Sequence, residues 1–174
     1  MRNRLAVLLS VLVSMVFLAA PADATVWWLQ YSDRSGGKCL AMPYTAETEY
    51  AEQATCVTPV GTGADKQLFQ LVSLASGNSW IVSQHSGKCL AVLFENPLEG
   101  VPVQQVTCGS VNLSDQWQIS VVSEQPNGSM NLRFRNARTG RCMTGSPGPT
   151  MYTCDSANVR QVWHQHLREG GGKN

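Results

Sequence analysis

Charged side chains are scarce in this sequence, and neither sign of charge dominates it. Asp, Glu, Lys and Arg make up 14% of the 174 residues, against about 25% in an average globular domain. Thirteen basic and twelve acidic residues leave a formal net charge of +1. Proteins that bind nucleic acid or an anionic membrane surface carry a clear basic excess. We therefore expect neither kind of partner.

Short motifs of the common enzyme classes are also missing. No G-x-S-x-G elbow marks a nucleophilic serine, and the glycine-containing stretch 61–66 lacks the G-x4-G-K-[ST] spacing of a phosphate-binding loop. Of the three histidines, His164 and His166 would share one face of a strand, which is half of a metal site, but nothing brings His85 to them. We predict no enzyme, no catalytic residue, no metal and no cofactor.

Only one long apolar run occurs, from Leu5 to Ala20. It is shorter than the ~20 residues that cross a bilayer. Two arginines precede it, and a small-x-small cleavage site, Ala22-Asp23-Ala24, follows it. This pattern predicts a secretory signal peptide over residues 1–24, no membrane span and a secreted, extracellular protein. Its removal takes away two basic residues and one acidic residue, which leaves eleven of each.

The remaining chain contains a repeat of about fifty residues. A G-[KR]-C-[LM] motif begins at residues 37, 87 and 140, and a second cysteine follows at 56, 108 and 154. Each copy ends in a polar-x-aromatic triplet, at 67–69, 115–117 and 161–163. A unit of this size cannot bury its own apolar face, so the three copies must close a common core.

All six cysteines lie in the repeats, two in each copy. An even count in a secreted protein indicates disulfides, and identical units should close identical loops. We therefore predict the pairs Cys39–Cys56, Cys89–Cys108 and Cys142–Cys154, each of which stabilises the fold by ~3 kcal/mol in the chain-entropy model. A zinc site is the alternative, but the sequence has no Cys-x2-Cys spacing.

Short apolar or alternating runs recur about every dozen residues, between turns rich in Gly, Pro, Ser and Asn. No segment shows the 3.6-residue apolar period of a helix, so the pattern predicts an all-β fold with four strands per repeat. The predicted strands are 27–31, 39–42, 54–57, 68–72, 80–82, 89–94, 101–108, 117–122, 132–134, 141–144, 151–154 and 162–167. Residues 168–174 are expected to form a flexible tail.

The tripled motif, the paired cysteines and the closing Q-x-W or its variants resemble the ricin B-type lectin family over residues 27–167. The resemblance implies a β-trefoil, which is a closed six-stranded barrel capped by three hairpins, with Phe69, Trp117 and Trp163 in a shared core. It also implies up to one shallow sugar site per repeat. The domain would span 25–167, with repeats at about 25–74, 75–124 and 125–167.

The family's sugar site has an aspartate after the Cys-Leu pair, an aromatic residue two positions before the second cysteine, and Asn-Gln at the Q-x-W triplet. The matching residues are Ala41, Ala54, Lys66 and Gln67 in the first repeat, Ala91, Val106, Ser114 and Asp115 in the second, and Thr144, Tyr152, Arg160 and Gln161 in the third. The aspartate is missing from all three repeats, so the sites are degenerate.

The third repeat is the best remaining candidate site. Tyr152 would stack on a sugar ring, and Thr144, Arg160 and Gln161 would hydrogen-bond its hydroxyls or carboxylate. Residues 125–167 carry five arginines and one acidic residue, which favours an anionic glycan; a solvated basic face is the alternative. A different kind of site in the loops that contain Tyr44, Tyr50 and Phe94 is a further alternative.

The sequence thus predicts a secreted carbohydrate-binding module whose ligand is a glycan or polysaccharide. The main alternative is a protein-binding adaptor, inhibitor or toxin-targeting subunit, whose partner would be another secreted protein. A third, an enzyme of unfamiliar type, would have to use the histidines or the loop carboxylates Glu47 and Glu49.

Overall fold

The computed structural model of the chain describes residues 28–57, 63–92 and 98–167. The predicted signal peptide and the predicted tail lie outside these ranges. The described part consists of thirteen β-strands and two short 3₁₀ turns. Within it, no helix is long and apolar enough to cross a membrane.

In the described ranges, the three repeats contain four, five and four strands. The first repeat contains β1 (Leu29–Asp33), β2 (Cys39–Ala41), β3 (Glu52–Ala54), the 3₁₀ turn Ala64–Gln67 and β4 (Phe69–Ser73). The second contains β5 (Ser79–Ser83), β6 (Cys89–Ala91), β7 (Val101–Pro102), β8 (Gln104–Val106) and β9 (Gln116–Glu124). The third contains β10 (Met130–Asn136), β11 (Cys142–Thr144), β12 (Thr150–Tyr152), the 3₁₀ turn Val159–Gln161 and β13 (Trp163–Leu167).

Six strands close a barrel. In order around it, β1 pairs with β4, β4 with β5, β5 with β9, β9 with β10, β10 with β13, and β13 returns to β1. The hairpins β2–β3, β6–β8 and β11–β12 extend from this barrel, one per repeat. The predicted β-trefoil is confirmed.

The closing aromatic residues of the three repeats meet in the core. Phe69, Trp117 and Trp163 are fully buried, as expected, and each such ring removes ~150–250 Å² from water. The Trp117 indole donates to the Leu90 carbonyl oxygen at 2.9 Å, and the Trp163 indole donates in the same way to Met143 at 3.1 Å. The two indole N–H groups therefore tie the barrel to the hairpins.

The disulfide prediction is also confirmed. Cys39 pairs with Cys56, Cys89 with Cys108 and Cys142 with Cys154, with Cα–Cα distances of 5.0, 5.0 and 4.9 Å. No free cysteine remains among the described residues. Each bridge joins the start of a hairpin to the chain just beyond its end, so the three hairpin bases have the same geometry.

Most strands lie within a few residues of the predicted bounds, and two differ most. The predicted strand 101–108 is interrupted at Val103, where the chain changes its pairing partner from β12 to β6. The Val103 N–H still donates to the Pro149 carbonyl on the β12 side, at 2.9 Å. The predicted strand 54–57 lies at 52–54 instead. Its last residues leave the ladder because the Thr55 carbonyl and the Val57 N–H bond to the side chain of Gln67.

Candidate functional site

The hairpin of the third repeat has a core face and an outer face. In its register Cys142 lies opposite Tyr152 and Met143 lies opposite Met151. Both methionines are buried in the core. Because side chains alternate along a strand, Thr144 and Tyr152 share the opposite face. Tyr152 is 39% exposed there, whereas Thr144 is only 4% exposed.

The 3₁₀ turn before β13 brings Arg160 and Gln161 to this hairpin. The side chain of Asn158 begins the turn by accepting the Arg160 N–H at 3.0 Å. The Arg160 carbonyl then accepts the Gly145 N–H at 2.8 Å. Equivalent bonds join Lys66 to Met42 and Ser114 to Val92, so this link is a property of the repeat.

Gln161 is fully buried and every polar atom of its amide is used. Its oxygen accepts the Asp155 N–H at 2.9 Å. Its nitrogen donates to the Thr153 carbonyl at 2.8 Å and to the Thr144 hydroxyl at 3.3 Å. Gln161 thus holds the chain beyond the second cysteine against the hairpin, as Gln67 does in the first repeat.

Tyr152 and Arg160 are the two predicted site residues that reach the surface. The Tyr152 hydroxyl lies over Gly100, only 3.3 Å from the place where a Cβ on that residue would be. Gly100 also has a φ of 78°, so glycine is needed there for conformation and for space. The Arg160 side chain is exposed and makes no hydrogen bond with any described residue.

The other repeats offer no such surface. Their counterparts of Thr144 are alanines, both buried, and their counterparts of Tyr152 are Ala54 and Val106. Within the ranges that the structure describes, the third repeat alone therefore has an exposed aromatic ring at the family's aromatic position together with an exposed cation at the position before the glutamine.

Most arginines of the third repeat are engaged inside the protein. Arg133 donates to the carbonyls of Asp155 and Ser156, and Arg135 donates to Gly140 and Gln118. The basic excess read from the sequence is therefore largely tied up in structural bonds. The Arg160 side chain, by contrast, bonds to no described residue.

The remaining candidates of the sequence analysis are separated in space. Tyr44 and Tyr50 are exposed, at 50% and 52%, on the loop between β2 and β3; Phe94 lies outside the described residues. The His164 and His166 rings are 4.6 Å apart in a T-shaped contact, but His85 pairs with Asp65 at 2.5 Å. Across the described ranges, no three His, Cys, Asp or Glu side chains are placed to hold a metal ion.

Sequence reasoning missed one recurring arrangement. Glu47 and Glu99 each hold the threonine that precedes the second cysteine of the next repeat, Thr107 and Thr153. The signal was present as a Thr-Cys pair in every copy, at 55–56, 107–108 and 153–154.

The family model that matches is that of the ricin-type beta-trefoil lectin domain, over residues 28–163. No curated protein sequence matches the chain.

Solved structures are similar in fold. They include the designed threefold-symmetric protein ThreeFoil, with a TM-score of 0.65 and 21% identity over 79% of this chain and 96% of that chain. An exo-beta-1,3-galactanase from Clostridium thermocellum has a TM-score of 0.65 and 19% identity over 84% of this chain and 31% of that chain. A Polyporus squamosus lectin bound to a human-type influenza-binding epitope has a TM-score of 0.61 and 14% identity over 84% of this chain and 50% of that chain. The chain thus spans a third to a half of the last two proteins.

Proposed function

The chain belongs to the ricin-type β-trefoil lectin domain family, and from this premise we propose that it is a secreted, non-catalytic carbohydrate-binding module with its working site in the third repeat. The observation that carries the proposal is the exposed Tyr152 ring on the outer face of the β11–β12 hairpin. An aromatic face covers the apolar side of a sugar ring, which is the first requirement of a sugar site.

The four residues of this site take two different roles. Tyr152 and Arg160 are exposed and contact the ligand. Thr144 and Gln161 are buried and hydrogen-bonded to each other, so they hold the hairpin and the 3₁₀ turn in place. A rigid support of this kind lowers the entropic cost of binding to a shallow site.

Arg160 sets the class of glycan. Its guanidinium has no partner among the described residues and presents a planar fork of donors, which matches a carboxylate or a sulfate. We therefore propose an acidic glycan or polysaccharide as ligand. A single exposed site gives weak binding, so retention on a dense polysaccharide surface would come from multivalency.

A broad glycan array tests this proposal. The wild-type chain should bind acidic glycans, binding should weaken as salt rises, and Tyr152→Ala should abolish it. Tyr44→Ala is the matched control, because Tyr44 is a comparably exposed tyrosine of the first repeat. Binding that survives Tyr152→Ala but not Tyr44→Ala would overturn the proposal in favour of a loop site.

Arg160→Gln separates the ligand class from the location of the site. It should remove the preference for acidic glycans while leaving binding to the neutral parent sugars measurable. Equal loss of both classes would contradict the role given to the arginine.

A further inference from the structure

The loop of the first repeat inserts a carboxylate into the second repeat. Glu47 accepts the Thr107 N–H at 3.0 Å and the Thr107 hydroxyl at 2.6 Å, and the Lys88 ammonium lies 2.7 Å away. Lys88 belongs to the G-K-C motif and Thr107 precedes the second cysteine. Two neutral donors and one cation therefore surround this carboxylate.

The second repeat likewise inserts a carboxylate into the third repeat. Glu99 accepts the N–H and the hydroxyl of Thr153, the latter at 2.6 Å, and Arg141 of the G-R-C motif completes the cradle. The two cradles are equivalent position by position. The carboxylate-binding half belongs to the repeat motif, and the carboxylate comes from the preceding repeat.

The backbone around the two glutamates is also equivalent. The residue after each glutamate has a positive φ, 62° at Thr48 and 78° at Gly100. Their N–H groups donate to the carbonyls of Gln105 (2.9 Å) and Met151 (2.8 Å). In both repeats the inserted segment therefore lies along the outer edge of the next hairpin. Tyr50 forms a bridge with Gln104 of β8 in the first case, and β7 pairs with β12 in the second.

The third repeat does not extend this arrangement to the first. Ala51 and Val103 each donate a backbone N–H to the following repeat, at 2.9 Å. Pro149 stands at the corresponding place, since its carbonyl accepts from Val103, and proline has no N–H to donate. The four residues between Thr144 and Pro149 include no carboxylate.

The receiving half is nevertheless complete in the first repeat. Lys38 and Thr55 occupy the positions of Lys88 and Thr107, on a hairpin with the same register and the same Cα–Cα distance of 5.0 Å across its disulfide. Both side chains are exposed and neither bonds to any described residue. No carboxylate of a described residue enters this cradle.

Two further features mark the same edge as unfilled. β3 pairs only with β2 among the described strands, whereas β8 and β12 each receive a segment of the preceding repeat. The Gln53 amide nitrogen is buried without a partner. The equivalent Gln105 nitrogen donates to the carbonyls of Tyr44 and Ala46, at 3.1 and 2.6 Å, which belong to the inserted loop.

We propose that Lys38, Gln53 and Thr55 form a docking site for an extended, acidic segment of a partner protein. The segment would place a glutamate carboxylate between the Lys38 ammonium and the N–H and hydroxyl of Thr55. Its backbone would lie along β3 and supply carbonyl groups to Gln53, as in other cases of strand addition to a free edge. A peptide is favoured over an acidic sugar because its backbone N–H and carbonyl groups can pair with the edge of β3, and its carbonyls can accept from the Gln53 amide.

The chain's own inserted segments define the preferred sequence. They read Glu-Thr-Glu-Tyr-Ala from residue 47 and Glu-Gly-Val-Pro-Val from residue 99. Since the second position needs a positive φ, Glu-Gly followed by two extended residues is the expected recognition motif.

A capped synthetic peptide with the sequence of residues 98–103, Leu-Glu-Gly-Val-Pro-Val, tests the proposal on the full chain labelled with ¹⁵N. It should cause saturable shifts of the amide signals of Lys38, Thr55 and β3. The same peptide with Gln in place of Glu should bind about tenfold more weakly, the loss expected for a charge-assisted hydrogen bond. Absence of shifts at millimolar peptide, or equal binding of both peptides, overturns the proposal.

Variants of the receiving half give an independent check. Lys38→Gln and Thr55→Val should each weaken the peptide by several-fold, whereas Arg34→Gln, which removes an exposed cation from the neighbouring turn, should leave it unchanged. Equal weakening by all three variants would mean non-specific attraction and would overturn the assignment. If glucuronate shifted the same signals at a lower concentration than the peptide, the ligand of this site would be an acidic sugar and the proposal of a peptide would be overturned.

Discussion

The Gln161 amide nitrogen donates to the Thr144 hydroxyl at 3.3 Å, and neither side chain reaches the surface. Two of the four residues predicted to form the ligand site are therefore buried, and in the proposed site they would act as its support. The other two, Tyr152 and Arg160, are exposed and would form the surface of the proposed site. This division of roles predicts that stability and binding respond to different substitutions.

Gln161→Leu should lower the free energy of unfolding by about 2 to 4 kcal/mol, because it leaves the Asp155 N–H and the Thr153 carbonyl without their partner. Tyr152→Ala should lower it by only about 1 kcal/mol, since that side chain is 39% exposed and makes no hydrogen bond with any described residue. Urea unfolding of the two variants measures both values. A stable Gln161→Leu protein that has lost glycan binding would show that the glutamine contacts the ligand directly.

Asp115 stands where the other two repeats have a glutamine. One carboxylate oxygen accepts the Gly109 N–H at 2.6 Å, and the other is buried without a partner. Asp115→Gln should raise the free energy of unfolding by about 1 kcal/mol, because the amide removes a buried charge and gains a donor. Thermal unfolding of this variant beside Asp115→Ala is the measurement. A loss of stability in both variants would show that the carboxylate is needed as it is.

Tyr31 places a hydroxyl in the core without a hydrogen-bond partner, and its counterparts in the other repeats are Ile81 and Phe134. Tyr31→Phe should therefore raise stability by about 1 kcal/mol at neutral pH. Burial also raises the pKa of Tyr31 above its ordinary value of 10.0.

The raised pKa gives this substitution a pH signature. The unfolded chain ionises Tyr31 near pH 10, whereas the folded chain keeps it neutral. The free energy of unfolding is therefore unaffected by this ionisation below pH 10.0 and falls as the pH rises further. Tyr31→Phe should lose less stability than the wild type between pH 9 and pH 11, a range chosen to span the tyrosine pKa of about 10. Parallel curves for the two proteins would contradict this.

The inserted glutamates predict an acid sensitivity. Hydrogen bonds from Lys88 and then Thr107 lower the pKa of Glu47, and hydrogen bonds from Thr153, ahead of Arg141, lower the pKa of Glu99. A carboxyl with a lowered pKa stabilises the fold above its ordinary value of 4.5, and this stabilisation is lost as the pH falls through the folded pKa.

The double variant Glu47→Gln, Glu99→Gln should therefore be less stable than the wild type at pH 7 and should lose less stability on acidification below pH 4.5. Glu52→Gln is the control, because Glu52 is exposed on β3 and bonds to no described residue. Acid titrations of the midpoint of urea unfolding measure the effect. An acid response of the double variant equal to that of the control would contradict the role of the cradles.

The hairpins, the barrel and the disulfides could be predicted because their signals are local. A glycine with positive φ, such as Gly37 or Gly87, turns the chain just before the first cysteine, and the second cysteine follows within twenty residues. Repetition of that unit then fixes the symmetry and the common core.

The links between repeats could not be predicted in the same way. Glu47 meets Thr107 across 60 positions, and nothing in the sequence around either residue names the other. The burial of Gln161 likewise depends on how the 3₁₀ turn packs on a hairpin formed earlier in the chain. The open edge of β3 is a difference among three hairpins in space: β8 and β12 each pair with a segment of the preceding repeat, and β3 pairs only with β2 among the described strands. Pro149 in the sequence does not by itself predict this difference.

The measurement that tests the central claim most directly is the mapping of a bound acidic glycan on the ¹⁵N-labelled chain. The ligand selected by the array should shift the amide signals around Tyr152 and Arg160 and leave the loop of Tyr44 and Tyr50 unchanged. Shifts confined to the first or second repeat would contradict a site in the third.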